Sequence, residues 1–409
     1  MSSRSTGRGP WPRSTRRGGT GPRSTGGRPR LRSLGAVLLA GGLVVLPASN
    51  AHADTIRAQQ WALDALDADK AWATTKGRGI TVAVLDTGVD GTHPDLKDNV
   101  LKGKDMIGFG ARQGDKAWAR HGTNMAGIIA GHGHGPGRAD GVLGIAPEAK
   151  ILPVRVILED GDKSRTKARN TRGTALADGI RWAADHGADV INMSLGDDSE
   201  SAHADAREDA AVQYALSKGV VVVASAGNGG EKGDHISYPA AYPGVIAVTA
   251  VDRYGARASF STRRWYATVS APGDDIVMAG PDREYYKGWG TSAAAAFASG
   301  VVALIRSAHP DLDPAQVKRL VETTAEDSPA GGRDDSFGYG FIDPVAAIEA
   351  GAELKPAAAQ AYPKKYFGQG PAKRETDAGT SSWLGLAVGA VGAGLLVAAT
   401  VLWRTRRPT

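Results

Sequence analysis

Short runs of apolar residues recur through the middle of this 409-residue chain. The five clearest runs occupy residues 80–85, 151–157, 189–193, 220–225 and 245–250. Strands of a parallel sheet that is covered on both sides present apolar side chains to both faces. We therefore interpret these runs as buried parallel strands.

Segments with helical periodicity separate these strands. They cover residues 174–186, 205–218 and 291–308. An alternation of buried strands and helices is typical of an α/β protein, so we predict a mostly parallel central sheet with helices on both faces. A further segment, residues 122–131, is rich in small residues and predicts a helix that packs closely against the sheet.

A basic segment followed by a short apolar run opens the chain. Nine arginines and no acidic residue precede Leu34, the apolar run covers residues 34–46, and small residues end the segment at Ala53. This order is typical of an export signal, so we interpret residues 1–53 as a signal peptide that is removed. The alternative is a membrane anchor, for which the run is short.

A second apolar run lies near the C-terminal end. Residues 384–403 contain no charged side chain, and about 20 apolar residues suffice for a helix to cross a bilayer. We interpret residues 383–403 as a transmembrane helix with Trp383 and Trp403 at the two interfaces. The arginine-rich tail, residues 404–409, favours a cytoplasmic C-terminus and an extracellular remainder. A buried helix of a soluble protein is the alternative.

The rest of the chain is divided into one domain and a tether. Residues 54–350 suffice for a single large core, and the Pro-, Ala- and Lys-containing residues 351–382 predict a flexible linker. Without residues 1–53 the chain has 40 basic and 43 acidic residues, and the domain alone has 32 basic and 40 acidic. The excess of basic residues thus belongs to residues 1–53, which excludes nucleic acid as the partner of the remaining chain. The excess of acidic residues in the domain hints at cationic substrates. No cysteine is present, so no disulfide stabilises the fold.

Three segments carry the residue types of a catalytic triad. They are VAVLDTGVDGTHPDL around Asp86, HGTNMAGIIAG from His121, and GTSAAAAFASG around Ser292. An acid that orients a histidine, and a histidine that deprotonates a serine, form the apparatus for attack on an acyl carbon, and Asp, His, Ser is a known chain order. Asp86 directly follows the first predicted strand, at the edge where α/β sheets bind ligands. The sequence therefore predicts a serine peptidase.

Two further features favour stabilisation of an oxyanion. Ser292 lies at the predicted N-terminus of the helix at residues 291–308, where a backbone N–H and the positive end of the helix dipole are available. Asn228, in SAGN after the strand at residues 220–225, is the candidate side-chain donor. A simple turn is the alternative for Asn228, because it follows Gly227.

Three other histidines offer alternatives. His93, in THPDL, is nearer to Asp86 along the chain, but a loop histidine beside proline is more often structural than catalytic. His132 and His134, in GHGHG, are of the residue type that binds metals. We interpret this segment as a flexible glycine-rich surface loop and assign no metal-ligating residue.

The chain resembles the subtilisin-like serine peptidases over residues 59–348. The three triad segments carry the resemblance, and further matches are SLG at 194–196, SAGN at 225–228 and YPAAYPGVIAVTAVD at 238–252. The resemblance implies a subtilisin-like fold and an endopeptidase that needs no cofactor for its chemistry.

Two groups of residues are implied by this resemblance to bind the substrate. The edge strand that pairs with the substrate backbone would be formed by Ser194, Leu195 and Gly196. One wall of the primary specificity pocket would be formed by Ser225, Ala226 and Gly227. Asp95 matches a calcium-ligating position of some relatives, but residues 132–140 replace the usual calcium loop, so a structural calcium ion is left open.

The order of leader, peptidase domain, C-terminal span and arginines resembles the mycosins, the membrane-anchored subtilases of actinobacterial type VII secretion. This implies a cell-membrane protease with polypeptide substrates and secretion components as partners. The chain departs from the pattern at Ala296, where proline is usual, and in its lack of cysteines. Residues 54–76 are too short for the folding prodomain of secreted subtilisins, so we expect unaided folding. A general envelope or secreted protease and a structural stabiliser of a secretion complex are the alternatives.

Overall fold

Eleven strands are formed within residues 56–357, the part of the chain that the computed structural model describes. They are β1 (Thr81–Asp86), β2 (Lys104–Asp105), β3 (His132–His134), β4 (Asp140–Leu143), β5 (Lys150–Arg155), β6 (Val190–Met193), β7 (Val221–Ser225), β8 (Ile246–Val251), β9 (Ala267–Pro272), β10 (Ile276–Ala279) and β11 (Tyr285–Gly288). Seven of them form one parallel sheet in the order β2-β5-β1-β6-β7-β8-β9. The five predicted strands are confirmed as β1, β5, β6, β7 and β8.

Nine α-helices accompany the strands in the same part of the chain. They are α1 (Trp61–Ala65), α2 (Ala68–Trp72), α3 (Arg120–Ala130), α4 (Arg165–Thr171), α5 (Ala175–Asp185), α6 (Ala206–Ser217), α7 (Thr291–Ala308), α8 (Pro314–Thr323) and α9 (Pro344–Gly351). The predicted helices are confirmed as α5, α6 and α7, and the segment of small residues lies in α3. Asp205 and Asp313 cap α6 and α8 by accepting backbone N–H groups of the first turn.

The side chains of β1 alternate between two layers of helices. Val82 and Val84 belong to the main hydrophobic core, which also contains the buried residues of α3 and α7. Leu85 points to the opposite face, where a Cβ added to Gly179 of α5 would lie 3.8 Å from Leu85 Cδ2. Because successive residues of a strand face opposite sides, the sheet is covered on both faces, as predicted.

Helix α7 runs through the centre of the main core. Within residues 56–357 it is the helix whose length and composition suit a membrane span, yet 78% of it is buried inside the protein. The alanines at 293–296 are all buried, and small side chains let the helix backbone approach the sheet closely. The apolar character of α7 is therefore explained by the core.

Two antiparallel hairpins lie beside the sheet, β3 with β4 and β10 with β11. The prediction of a flexible loop at GHGHG is wrong, because β3 is paired and His132 is buried. His134 Nδ1 lies 2.6 Å from Asp95 Oδ1. This contact joins segments that are far apart along the chain, so local composition did not reveal it.

The predicted terminal segments lie outside the described residues. These are the signal peptide at 1–53, the transmembrane helix at 383–403 and the tail at 404–409, together with most of the linker at 351–382. Contacts divide the chain into residues 1–362 and 363–409, and every residue described above belongs to the first unit.

Candidate active site

Asp86 is the last residue of β1, at the point where the strand order of the sheet reverses. β1 has β5 on one side and β6 on the other, and open α/β sheets bind ligands at such switch points. The Asp86 side chain is fully buried, and its Oδ1 accepts a hydrogen bond from Thr87 N at 2.7 Å. A buried carboxylate needs donors around it, so Asp86 is held in one position beside α3.

Helix α3 places His121 against Asp86. His121 Nδ1 lies 2.9 Å from both Oδ1 and Oδ2 of Asp86. The next residue, Gly122, permits this approach, because a Cβ there would lie 2.0 Å from Gly88 O. An imidazole whose Nδ1–H donates to a carboxylate keeps Nε2 available to accept a proton. This is the arrangement that the sequence predicts for the acid and the base.

The pKa of His121 lies above its ordinary value. Burial of the ring lowers the pKa, but the charge and hydrogen bond of Asp86 raise it, and the carboxylates of Glu159 and Asp160 raise it further. The protonated imidazole is thereby stabilised. His121 therefore becomes a neutral base only at a pH above that at which an ordinary histidine deprotonates.

Glu159 is a buried residue of the site that the triad motifs do not reveal. Its Oε1 accepts hydrogen bonds from His121 N at 2.7 Å and from Thr87 Oγ1 at 2.8 Å. The sequence feature that points to Glu159 is its place in the segment LED, which lies just after β5 and at the same sheet edge as Asp86. Neither spacing nor composition distinguishes this carboxylate from an exposed loop residue.

Ser292 is the second residue of α7 and contacts the segment that follows β6. Its Oγ donates a hydrogen bond to Ser194 O at 3.0 Å, and Ser194 Oγ donates to Ser292 O at 2.8 Å. Ser292 and His121 line the same cavity. The hydroxyl has to turn from the Ser194 carbonyl toward His121 before it can transfer a proton. Catalytic hydrogen bonds often tighten only in the complex with substrate.

Asn228 and the backbone of Ser292 border one small space beside the nucleophile. Asn228 Oδ1 accepts hydrogen bonds from Thr291 N at 3.0 Å and Thr291 Oγ1 at 2.9 Å, which fixes the amide with Nδ2 directed elsewhere. A Cβ placed on Gly290 would lie 3.8 Å from Asn228 Nδ2 and 3.6 Å from Ser292 N. Both nitrogens therefore lie near one point beside Gly290, and two neighbouring N–H donors are what an oxyanion hole requires.

The two predicted substrate-binding segments lie side by side. Ser225 Oγ donates to Leu195 O at 3.4 Å. Ala226 is buried, and Gly227 N donates to Thr291 Oγ1 at 3.3 Å. These contacts bring residues 225–227 to residues 194–196 and to the first turn of α7.

The predicted edge strand at residues 194–196 does not appear as a strand. β6 ends at Met193, and Ser194, Leu195 and Gly196 have no strand pairing. A segment is assigned as a strand only when its backbone pairs with another strand. The predicted partner of residues 194–196 is the backbone of a bound substrate. The pairing role of this segment stays a prediction.

His93 is structural, as expected. It is buried, its Nδ1 accepts a hydrogen bond from Asp95 N at 3.1 Å, and its ring lies edge-on to Tyr285. Asp95 in turn accepts from Val142 N at 2.8 Å and Tyr285 OH at 2.9 Å. Across residues 56–357 no group of three or more His, Cys, Asp or Glu side chains is arranged to hold a metal ion.

A cavity of about 250 Å³ opens beside the nucleophile on the side of His121. Its lining consists of Arg120, His121, Asn124, Met125, Met278, Tyr286, Lys287, Gly288, Trp289, Ser292 and Ala293. Tyr286 and Trp289 are two of the five exposed large hydrophobic side chains of the described residues. Apolar walls with a few polar groups are typical of a site that binds a side chain.

An aspartate at the switch point of the sheet, a histidine at the start of α3 and a serine in the first turn of α7 together define the subtilisin-like class of serine hydrolases. The subtilase family model, Peptidase S8, matches residues 77–340. The chain belongs to the subtilase family.

Named proteases are among the similar proteins. Fervidolysin from Fervidobacterium pennivorans is 37% identical over 329 residues, which cover 73% of this chain and 45% of fervidolysin. Subtilisin DY from Bacillus licheniformis is 37% identical over 278 residues, which cover 67% of this chain and 92% of the subtilisin. The chain thus spans less than half the length of fervidolysin.

Two solved mycosin structures share the fold. MycP1 from Mycobacterium smegmatis superposes with a TM-score of 0.63 at 30% identity, covering 80% of this chain and 92% of MycP1. The MycP3 protease from the type VII (ESX-3) secretion system superposes with a TM-score of 0.59 at 34% identity, covering 71% and 88%. Mycosins are therefore among the solved structures that are similar to this chain.

Proposed function

We propose that this protein is a serine endopeptidase in which Ser292 is the nucleophile, His121 the general base and Asp86 the residue that orients His121. The observation that carries this proposal is the Nδ1 contact of His121 with Asp86 at 2.9 Å, with Ser292 lining the same cavity. His121 Nε2 takes the proton of Ser292 Oγ as this oxygen attacks the peptide carbonyl. No metal or cofactor enters this step.

Asn228 Nδ2 and Ser292 N stabilise the oxyanion that forms during this attack. Preorganised N–H donors strengthen their contact as negative charge develops on the carbonyl oxygen, which lowers the barrier. His121 then gives its proton to the leaving amine, and the acyl-enzyme at Ser292 is released by water.

The substrate is a polypeptide that crosses the site between two walls. The acyl side pairs with residues 194–196 and places one side chain against residues 225–227. The leaving side follows His121, because that residue protonates the departing amine. The cavity lined by Tyr286 and Trp289 lies on the His121 side and receives the residues after the scissile bond.

The protein acts at the outer surface of the cell membrane, in a mycosin-like role. The export signal at residues 1–53 and the span at 383–403 support this location, and the likeness to MycP1 and MycP3 supports a link to type VII secretion. No cofactor is required for the chemistry, and a structural calcium ion is left open. Scaffolding of a secretion complex, and general envelope proteolysis, are the other candidate roles.

A Ser292→Ala variant tests the catalytic role against scaffolding. We expect the variant to accumulate and to join the membrane fraction like the wild type, while processing of the exported substrate stops. Secretion and processing that continue unchanged with the inert protein would contradict the proposal and favour the scaffold. Ser217→Ala is the matched control, because it removes an exposed serine hydroxyl at the end of α6 that does not line the cavity.

A further inference from the structure

Glu159 is a buried carboxylate in contact with His121 and with Thr87, the residue that follows Asp86. It lies in the segment after β5 and is only 8% exposed. A single oxygen, Oε1, accepts from His121 N at 2.7 Å and from Thr87 Oγ1 at 2.8 Å. Because a buried carboxylate is costly unless its hydrogen bonds are made, its position here requires these two donors.

These two bonds reach the segments that carry the acid and the base. Thr87 directly follows Asp86 and donates its own N–H to Asp86 Oδ1 at 2.7 Å. Thr87 Oγ1 also accepts from Gly122 N at 3.1 Å, one residue after His121. The end of β1 and the start of α3 are therefore tied together through Thr87 and Glu159, and separately by the His121–Asp86 contact itself.

We propose that Glu159 is a positioning residue of the active site, whose Oε1 fixes the start of α3 relative to the turn after Asp86. It does not touch substrate or the reacting atoms. The proposal rests on the proposed function, in which His121 acts as the base. Since misplacement of a catalytic group by about 1 Å can cost about 100-fold in rate, a clamp on the His121 backbone has a direct effect on turnover.

The charge of Glu159 adds a second effect on the same histidine. The charged groups near His121 are Asp86 on β1, Glu159 and Asp160 after β5, Arg120 on its own helix, and Lys287 of β11 in the shared cavity. Of these, Asp86, Glu159 and Asp160 raise the pKa of His121. Removing the charge of Glu159 lowers this pKa, so His121 becomes neutral at a lower pH.

Three variants of the full-length protein separate position from charge. Glu159→Gln retains an oxygen that can accept both hydrogen bonds but loses the charge. Glu159→Ala loses both bonds and the charge. Asp160→Asn is the matched control, because the neighbouring Asp160 side chain is 92% exposed and pairs with Arg165 rather than with α3.

The measurements are the pH profile of peptide hydrolysis and the titration of His121 by NMR. We expect Glu159→Ala to lower kcat about 100-fold with little change in KM. We expect Glu159→Gln to keep the plateau kcat near that of the wild type while the acid limb and the His121 titration both move to lower pH. Asp160→Asn should leave the plateau kcat unchanged and should move the His121 titration less than Glu159→Gln does, because the charge of the exposed Asp160 side chain is screened by water.

Two results would contradict a positioning role of Glu159 directly. A folded Glu159→Ala protein with wild-type kcat, or a Glu159→Gln protein with an unmoved His121 titration, would overturn the proposal. If Glu159→Ala does not fold, Glu159→Gln decides the question. A folded Glu159→Gln protein whose plateau kcat falls about 100-fold, although both hydrogen bonds can still form, would overturn the proposal. A wild type that titrates at His121 but hydrolyses no peptide would contradict the proposed function, while the NMR result would still decide the role of Glu159.

Discussion

The oxygen and the nitrogen of the Asn228 side-chain amide have different roles. Its Oδ1 accepts two hydrogen bonds from Thr291, at 3.0 Å and 2.9 Å, so its Nδ2 is directed to the space beside Ser292 N. The orientation of the donor is thus fixed before any substrate binds, which is what preorganised electrostatic stabilisation requires.

Removal of the Asn228 amide donor should slow the chemical step. Asn228→Ala lowers kcat about 100- to 1000-fold with little effect on KM, because the lost hydrogen bond forms mainly in the transition state. Steady-state kinetics on a peptide ester and on a peptide amide measure it. Asn228→Asp, which keeps Oδ1 but has no amide donor, should lose a similar factor. A loss confined to KM would contradict the role given to Asn228.

Residues in short motifs were predictable from the sequence, whereas residues held by long-range contacts were not. Asp86, His121, Asn228 and Ser292 lie in segments whose order and neighbours indicate their chemistry. Glu159 gives no such signal, because its role depends on two hydrogen bonds to distant parts of the chain.

At the scale of secondary-structure elements, β11 and the residue after it line the cavity that we propose to receive the residues after the scissile bond. Tyr286 on β11 and Trp289 just after it are exposed, at 38% and 63%, although both are large and aromatic. Trp289 is supported by Phe260, with ring centroids 4.6 Å apart. Exposed aromatic side chains that line a cavity favour binding of an apolar group.

The preference for the residue after the scissile bond follows from these walls. Trp289→Ala lowers kcat/KM about 10-fold for peptides with Leu or Phe at that position and much less for peptides with Gly or Ala there. Tyr254→Ala, which removes a 74% exposed aromatic residue outside the cavity lining, serves as the control. An equal loss for all four peptides would contradict the assignment of the cavity.

Asp95, which contacts the hairpin of β3 and β4, bears on how the thermal stability of the protein responds to metal removal. The carboxylate of Asp95 accepts from Val142 N and Tyr285 OH and contacts His134 Nδ1, so protein groups surround both of its oxygens. We expect a chelator to leave the thermal midpoint unchanged. A fall in the midpoint that added calcium restores would contradict this expectation.

Regular elements were easier to predict than this hairpin. α7 begins and ends where the sequence predicts, because a long apolar run has one stable solution inside a core. The hairpin was predicted as a flexible loop, since its glycines indicate freedom and the contact of His134 with Asp95 has no local signature.

At the scale of the whole molecule, the sequence predicts a signal peptide at residues 1–53 and a membrane anchor at residues 383–403 in addition to the protease domain. A chain ending at residue 382 lacks the charge-free run at 384–403 and should appear in the medium, whereas the full chain should stay with the membrane fraction. Fractionation followed by immunoblotting measures both. A full-length chain that is recovered intact from the medium would contradict the anchor.

Labelling with a fluorophosphonate probe tests whether Asp86, His121 and Ser292 form a working triad. The full-length protein is treated with the probe, the modified residue is mapped by mass spectrometry, and Ser292→Ala is treated in parallel. We expect modification at Ser292 in the wild type and none in the variant. A folded wild-type protein that is not labelled, or that is labelled equally in the variant, would contradict it.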